Sequence, residues 1–226
     1  MTRFFLGITG ASGHAYARGL LRAAVSAGCD VDVSITSAGC EVMRHELDLD
    51  PGANGERLDE CLPALLEGVS SDATVRTFAS HEIGAPPSSG TALTGGVVVC
   101  PCSMGTLSRV SVGFSSNLVE RAVDVALKEK RTLVIVPRET PLSEIHLENQ
   151  LRLARLGATI LPASPGFYHK PQSIDDLVQH VVGKVLDRIG VVHSVGARWK
   201  GLPRPDEDAG IQRPDDDAGQ AHGGQA

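Results

Sequence analysis

Residues 97–101 read VVVCP and residues 132–137 read TLVIVP, two short apolar runs rich in β-branched side chains and without a polar break. A strand with one face in water alternates apolar and polar residues. An unbroken run suits a parallel strand covered on both faces. Between the two runs Asn117 opens the stretch NLVERAVDVALKEK and is expected to cap a helix there. Working outward, RFFLGIT (3–9), VDVSIT (31–36), residues 74–78 and ATILP (158–162) read as further strands. Helices are expected from Gly13 to about Ala27, around Val42 and Met43, within CLPALLEGV (61–69), and from a Ser173 cap through Ile189 to Gly190. Thr140 is expected to cap another, with Pro141 at its first position, ending near Leu156 and Gly157. Residues 84–96, GAPPSSGTALTGG, read as a loop. Strands alternating with helices at this spacing predict βαβ units, an α/β fold with a mostly parallel sheet and helices on both faces.

The chain has 226 residues, 42% apolar and 21% charged, enough for one α/β domain with a sizeable core. Its net charge of −6 argues against nucleic-acid binding. Much of that charge lies in residues 204–226, where Arg204 and Arg213 face six acidic residues. There RPDEDAGIQ (204–212) is nearly repeated by RPDDDAGQA (213–221), an acidic, apolar-poor stretch expected to be a disordered tail behind a domain at 1–203. Cys29, Cys40, Cys61, Cys100 and Cys102 are an odd, scattered set. They read as reduced thiols in a cytoplasmic protein rather than a disulfide framework. No signal-peptide core and no 18-residue apolar run is present, so no membrane segment is expected.

Four turns follow predicted strands, where open parallel sheets place ligands. Gly7-Ile8-Thr9-Gly10-Ala11-Ser12-Gly13 leads into a helix whose free N–H groups suit phosphate, although a tight strand-to-helix turn is the alternative. Its GxxGxxG spacing departs from the dinucleotide GxGxxG fingerprint. Asp30 and Asp32 nonetheless sit where a ribose-binding acid would, which keeps a nicotinamide reading open at this point. The hydroxyl-rich Cys102-Ser103-Met104-Gly105-Thr106-Leu107-Ser108 is a second such turn, or an ordinary cap made by Ser103. Arg138 and Glu139 in the third can hold phosphate and move a proton, or form a surface ion pair. In the fourth, Pro165-Gly166-Phe167-Tyr168-His169, Tyr168 can donate to phosphate or pack over a core edge, and His169 reads as a polar loop residue. Arg121 and Lys128 share a helix face with Glu120 and Asp124, which on spacing alone is a solvated, salt-bridged face. Trp199 reads as a docking anchor or a π-face for a cation. No metal site is expected: the histidines are scattered and Asp215-Asp216-Asp217 is not a helical diphosphate-metal motif.

Together GITGASG, CPCSMGTLSRVSVGFSSNLVERAVDVALKEKR, LVIVPRETPLSEIHLENQLRLARLGATILPASPGFYHKPQSIDDLV and the late RW resemble the UbiX/Pad-type flavin prenyltransferases over about residues 3–200. The resemblance implies a Rossmann-like, flavodoxin-type fold in a homo-dodecamer. It implies a metal-independent reaction joining dimethylallyl monophosphate to reduced FMN, at N5 and then C6, to make prenylated FMN for a UbiD-type decarboxylase. Carried over by position, Gly10, Ala11, Ser12, Thr36, Ser103, Met104, Gly105, Thr106 and Arg138 would hold FMN, with Ser12 near N5. Thr36 stands where the family usually has serine. Tyr168 and Lys184 would bind the dimethylallyl phosphate. Arg121, Lys128 and Glu139 would add phosphate and proton chemistry, against the solvated-face reading of the first two. Glu46 matches an acidic position near Ser12, and Trp199 would face the allyl group. A flavin-dependent cysteine decarboxylase would carry PASANT-like and PxMNxxMW motifs, which this chain lacks. A non-catalytic FMN-binding subunit is the remaining alternative, and the intact Lys128, Glu139, Tyr168 and Lys184 argue against it.

Overall fold

The computed structural model describes residues 3–92, 95–196, 198 and 201. Trp199 and the acidic tail lie outside the described residues. Six strands form one sheet: β1 (Arg3–Ile8), β2 (Asp30–Ile35), β3 (Val75–Ala79), β4 (Gly96–Cys102), β5 (Thr132–Pro137) and β6 (Thr159–Ile160). Their order is β3-β2-β1-β4-β5-β6 and every pairing is parallel. Among the described residues seven α-helices accompany them: α1 (His14–Ser26), α2 (Ser37–Leu47), α3 (Leu58–Leu65), α4 (Met104–Ser111), α5 (Leu118–Lys128), α6 (Glu144–Arg155) and α7 (Ile174–Ile189).

The unbroken apolar runs are explained by two cores, one on each face of the sheet. Successive strand residues point to opposite faces. Phe4, Leu6 and Ile8 therefore join α1, α2, α3 and α7, with Val98, Cys100, Val134 and Val136 beside them. Phe5, Val97, Val99, Leu133 and Ile135 pack instead against α4, α5 and α6. All five cysteines are buried, and burial pushes the Cys102 thiol up to about 12. No helix among the described residues is long and apolar enough to cross a membrane.

Asn117, Ser103 and Ser173 cap α5, α4 and α7 as their sequences suggest. One start differs. The sixth helix begins not at Thr140 but after Ser143, whose hydroxyl accepts from the His146 N–H while His146 Nδ1 accepts from the Ser143 N–H, both at 3.3 Å. That reciprocal pair satisfies two groups at the helix start, while the Thr140 N–H is spent on the Glu139 carboxylate at 3.0 Å.

Candidate active site

In an open parallel sheet the ligand crevice lies beyond the carboxyl ends of the strands, where the strand order reverses. Here that point falls between β1 and β4. The turns after these strands, residues 9–13 and 103–106, form its two walls.

The three glycines of the first turn answer to packing. A Cβ on Gly7 would meet Val119 of α5 at 2.6 Å, and one on Gly10 would meet Ala38 of α2 at 2.7 Å. Gly13 has φ +110°, a left-handed conformation that L side chains rarely adopt. The spacing GxxGxxG is thus required by a tight turn wedged between two helices. The α1 amides, expected to face a phosphate, meet a carboxylate of this chain. The Glu46 carboxylate already accepts from the Gly13 N–H at 3.0 Å, from the His14 N–H at 2.8 Å and from the Ser12 side chain. Burial would raise the Glu46 pKa. These hydrogen bonds and the neighbouring His14 outweigh it and hold the group below its ordinary value. Glu46 is thus an anion bound at a helix N-terminus.

Beneath this turn His14 is fully buried, with Nε2 3.0 Å from the Thr9 carbonyl, and burial lowers its pKa below the usual histidine value. Thr9 ties the two walls together. Its hydroxyl donates to the Pro101 carbonyl and accepts from the Ser103 N–H, both at 2.8 Å. Ser103 Oγ then accepts from the Thr106 N–H at 3.3 Å. Thr36 makes the equivalent cap on α2, accepting from the Gly39 N–H at 3.1 Å. The first-turn amides of α2 and α4 have no carbonyl within their own helices to bond. Those two helix starts flank the β1 turn and offer donors for a phosphate. Gly105 leaves room beside them: its nearest contact for an added Cβ is Arg109 Nη1 at 3.5 Å. Arg138, just past β5, donates through Nε to the Ser12 carbonyl at 2.9 Å, and its own N–H donates to the Cys102 carbonyl at 3.3 Å. It therefore spans the crevice, bringing together Gly10, Ala11, Ser12, Glu46, Ser103 and Arg138.

Tyr168 and Lys184 lie in a second place. They line a hollow of about 280 Å³ with His180, Asp187, His193 and Arg198, and none of the crevice residues borders it. The Tyr168 hydroxyl lies 3.1 Å from His180 Nε2. His169, expected to be a bystander, sits with its ring 5.3 Å from that of His180 and 5.6 Å from that of Tyr168. A larger hollow of about 810 Å³ between α1, α7 and residues 192–195 contains none of the expected site residues.

Arg121 and Lys128 occupy α5. Arg121 pairs with Asp124 at 2.8 Å, and Lys128 pairs with Glu129. Lys128 is the last residue of α5, just before β5 begins, so within one chain it is at the end of the sheet opposite Ser12. Glu120 departs from the solvated-face reading: it is fully buried, paired with Arg109, and accepts from both the Ser116 N–H and hydroxyl at 2.8 Å. Glu139 is exposed at the crevice rim. Asp30 and Asp32, which kept a nicotinamide reading open, lie at the start of β2, at the wrong end for a ligand, bound by Arg3 and Arg76. Sequence reasoning missed Thr9, His14 and His180. For His180 a signal existed: it is four residues before Lys184 on one helix, hence on the same face.

The Flavoprotein family matches residues 1–186. Flavin prenyltransferase UbiX of Halalkalibacterium halodurans is 46% identical over 196 residues, 87% of this chain and 92% of that protein. The crystal structure of AnUbiX (PadA1) in complex with FMN and dimethylallyl pyrophosphate superposes with a TM-score of 0.77 at 36% identity, covering 89% of this chain and 98% of that one. The dodecameric FMN-dependent UbiX-like decarboxylase from Escherichia coli O157:H7 gives 0.74 at 37% identity, covering 88% and 100%. The fold and crevice thus define a flavoprotein of the open α/β type. The chain belongs to the flavoprotein family and, within it, to the flavin prenyltransferases.

Proposed function

We propose that this enzyme transfers the dimethylallyl group of dimethylallyl monophosphate to reduced FMN, at N5 and then C6, in the cytoplasm, and that its product serves a UbiD-type decarboxylase. The observation that carries the reading is Arg138 lying across the crevice onto Ser12, with the hydroxyl-capped starts of α2 and α4 on either side. This donor set fits FMN. Thr36, Ser103, Met104, Gly105 and Thr106 would take its phosphate, and Gly10, Ala11, Ser12 and Arg138 its ring system. Reduced FMN supplies the nucleophile.

The protein's own groups manage charge and protons. Departure of phosphate leaves cationic allyl character. An aromatic face such as Trp199 stabilises that cation, while Tyr168, Lys184, Arg121 and Lys128 stabilise the leaving anion without a metal. Glu46 orients the Ser12 hydroxyl beside the flavin. Glu139, or the released phosphate, takes the proton lost from C6. The separation of the crevice from the Tyr168–Lys184 hollow and from Lys128 supports a full pocket formed between copies in a homo-dodecamer. The exposed apolar side chains Ile145, Leu147, Leu151 and Leu156 on and just after α6 support such an assembly. Residues 1–203 form the catalytic unit, with the acidic tail outside it.

Anaerobic incubation with reduced FMN and dimethylallyl monophosphate is expected to yield a flavin heavier by one prenyl unit by mass spectrometry, with the pyrophosphate run in parallel. An unchanged flavin mass with both esters refutes the transferase and leaves a flavin-binding subunit. Turnover with the pyrophosphate alone moves the substrate assignment.

A further inference from the structure

The ring of His180 stands between a backbone amide and a phenol. The Gly166 N–H donates to Nδ1 at 2.7 Å, and Nε2 lies 3.1 Å from the Tyr168 hydroxyl. A neutral imidazole has one donor and one acceptor nitrogen. Because an N–H cannot accept, Gly166 makes Nδ1 the acceptor and places the ring proton on Nε2. Nε2–H then donates to the Tyr168 oxygen, and the phenol's own proton turns away from the imidazole. The rings meet edge to face, with centroids 5.5 Å apart and planes at 89°, so the phenol is held by geometry as well as by the hydrogen bond.

We propose that His180 is a positioning residue that fixes Tyr168 as a hydrogen-bond donor to the phosphate ester held by Lys184. This deepens the reading of Tyr168 and Lys184 as the phosphate-binding pair and rests on it. His180 and Lys184 are one turn apart on α7 and line the same hollow. Burial, with the charges of His169 and Lys184 nearby, lowers the His180 pKa and keeps the ring in the neutral form that the Gly166 contact requires. Gly166 also has no space to spare. A Cβ there would come within 2.8 Å of the Tyr168 ring and 3.0 Å of His180, so loop, imidazole and phenol are packed as one unit. A phenol already oriented loses less conformational freedom when the anion arrives.

Two substitutions separate anchoring from positioning. His180→Asn keeps an acceptor for the Gly166 N–H but does not reach Tyr168, and His180→Gln carries a donor at the Nε2 position. His180→Asn is expected to raise KM for dimethylallyl monophosphate by roughly tenfold, the size of one hydrogen bond to a charged group. FMN affinity should be unchanged, and His180→Gln should recover most of the loss. On a Tyr168→Phe background His180→Asn should add nothing further. An unchanged KM in His180→Asn, with the wild type active, overturns the proposal. So does full additivity with Tyr168→Phe. Nitrogen-15 NMR of the ligand-free protein tests it without turnover: the Nε2–H tautomer is expected, and the Nδ1–H tautomer overturns it. A wild type that makes no prenylated flavin refutes the function proposed above and leaves the tautomer measurement standing.

Discussion

Glu46 sits at the α1 N-terminus in the position a bound anion would take, and this decides what the first turn can do. Its folded pKa is depressed, so its contribution is present above the unfolded carboxylate value and is lost as pH falls through the folded one. On the acid side protonation would loosen Gly13, His14 and the Ser12 hydroxyl together. Glu46→Gln is expected to fold, to bind FMN, and to slow turnover by roughly tenfold to a hundredfold through loss of a charge-assisted hydrogen bond to Ser12. The kcat–pH profile of the wild type should fall only below the ordinary glutamate range, as pH drops through the depressed Glu46 pKa, and that limb should be missing in the variant. Matching acid limbs in the two proteins would mean that Ser12 works without Glu46.

At the scale of elements, Glu120 plays a different part from its neighbours on α5. It is buried beneath the α4–α5 connection, where the Arg109 guanidinium and the Ser116 N–H and hydroxyl converge on it. Burial alone would raise its pKa, and those partners reverse the direction. Glu120→Ala leaves Arg109 and the Ser116 amide without their acceptor and is expected to cost about 2–4 kcal/mol by urea denaturation at neutral pH. The gap between wild type and variant should narrow as pH falls below the ordinary glutamate value, about 4.3, because the unfolded chain then takes up a proton that the folded carboxylate, with its depressed pKa, still refuses. A constant gap across that range would assign the cost to packing. Sequence spacing makes a glutamate at this position look solvated because it gives the face but not what covers it. The cover comes from Arg109 and Ser116, on segments before the helix, and only folding brings them over it.

For the whole molecule, the arrangement of half-sites sets the test. Ser12 and Arg138 meet over the crevice, whereas Tyr168 and Lys184 line another hollow and Lys128 sits at the far end of the sheet. If copies complete one another's pockets, co-expressing Ser12→Ala with Lys184→Ala should restore roughly a quarter of wild-type activity, since random mixing in a symmetric assembly leaves that share of pockets with both native residues. Each variant alone should be nearly inactive. No recovery on mixing would place both residues in one chain's pocket and contradict the shared site.

The sequence by itself determined the alternation of strands and helices, the parallel sheet, and the turns that carry chemistry. These depend on local signals: unbroken apolar runs, hydroxyl and amide caps, and glycines at strand ends. It also carried the family, through motifs spread along most of the chain. Only the tertiary structure decided that Glu46 fills the α1 amides, that Asp30 and Asp32 serve an ion pair at the wrong end of the sheet, and that His180 holds Tyr168. Each of these outcomes depends on which side chain arrives from a distant segment. Spacing along a chain records which residues share a face, whereas the partner a face meets is set by packing.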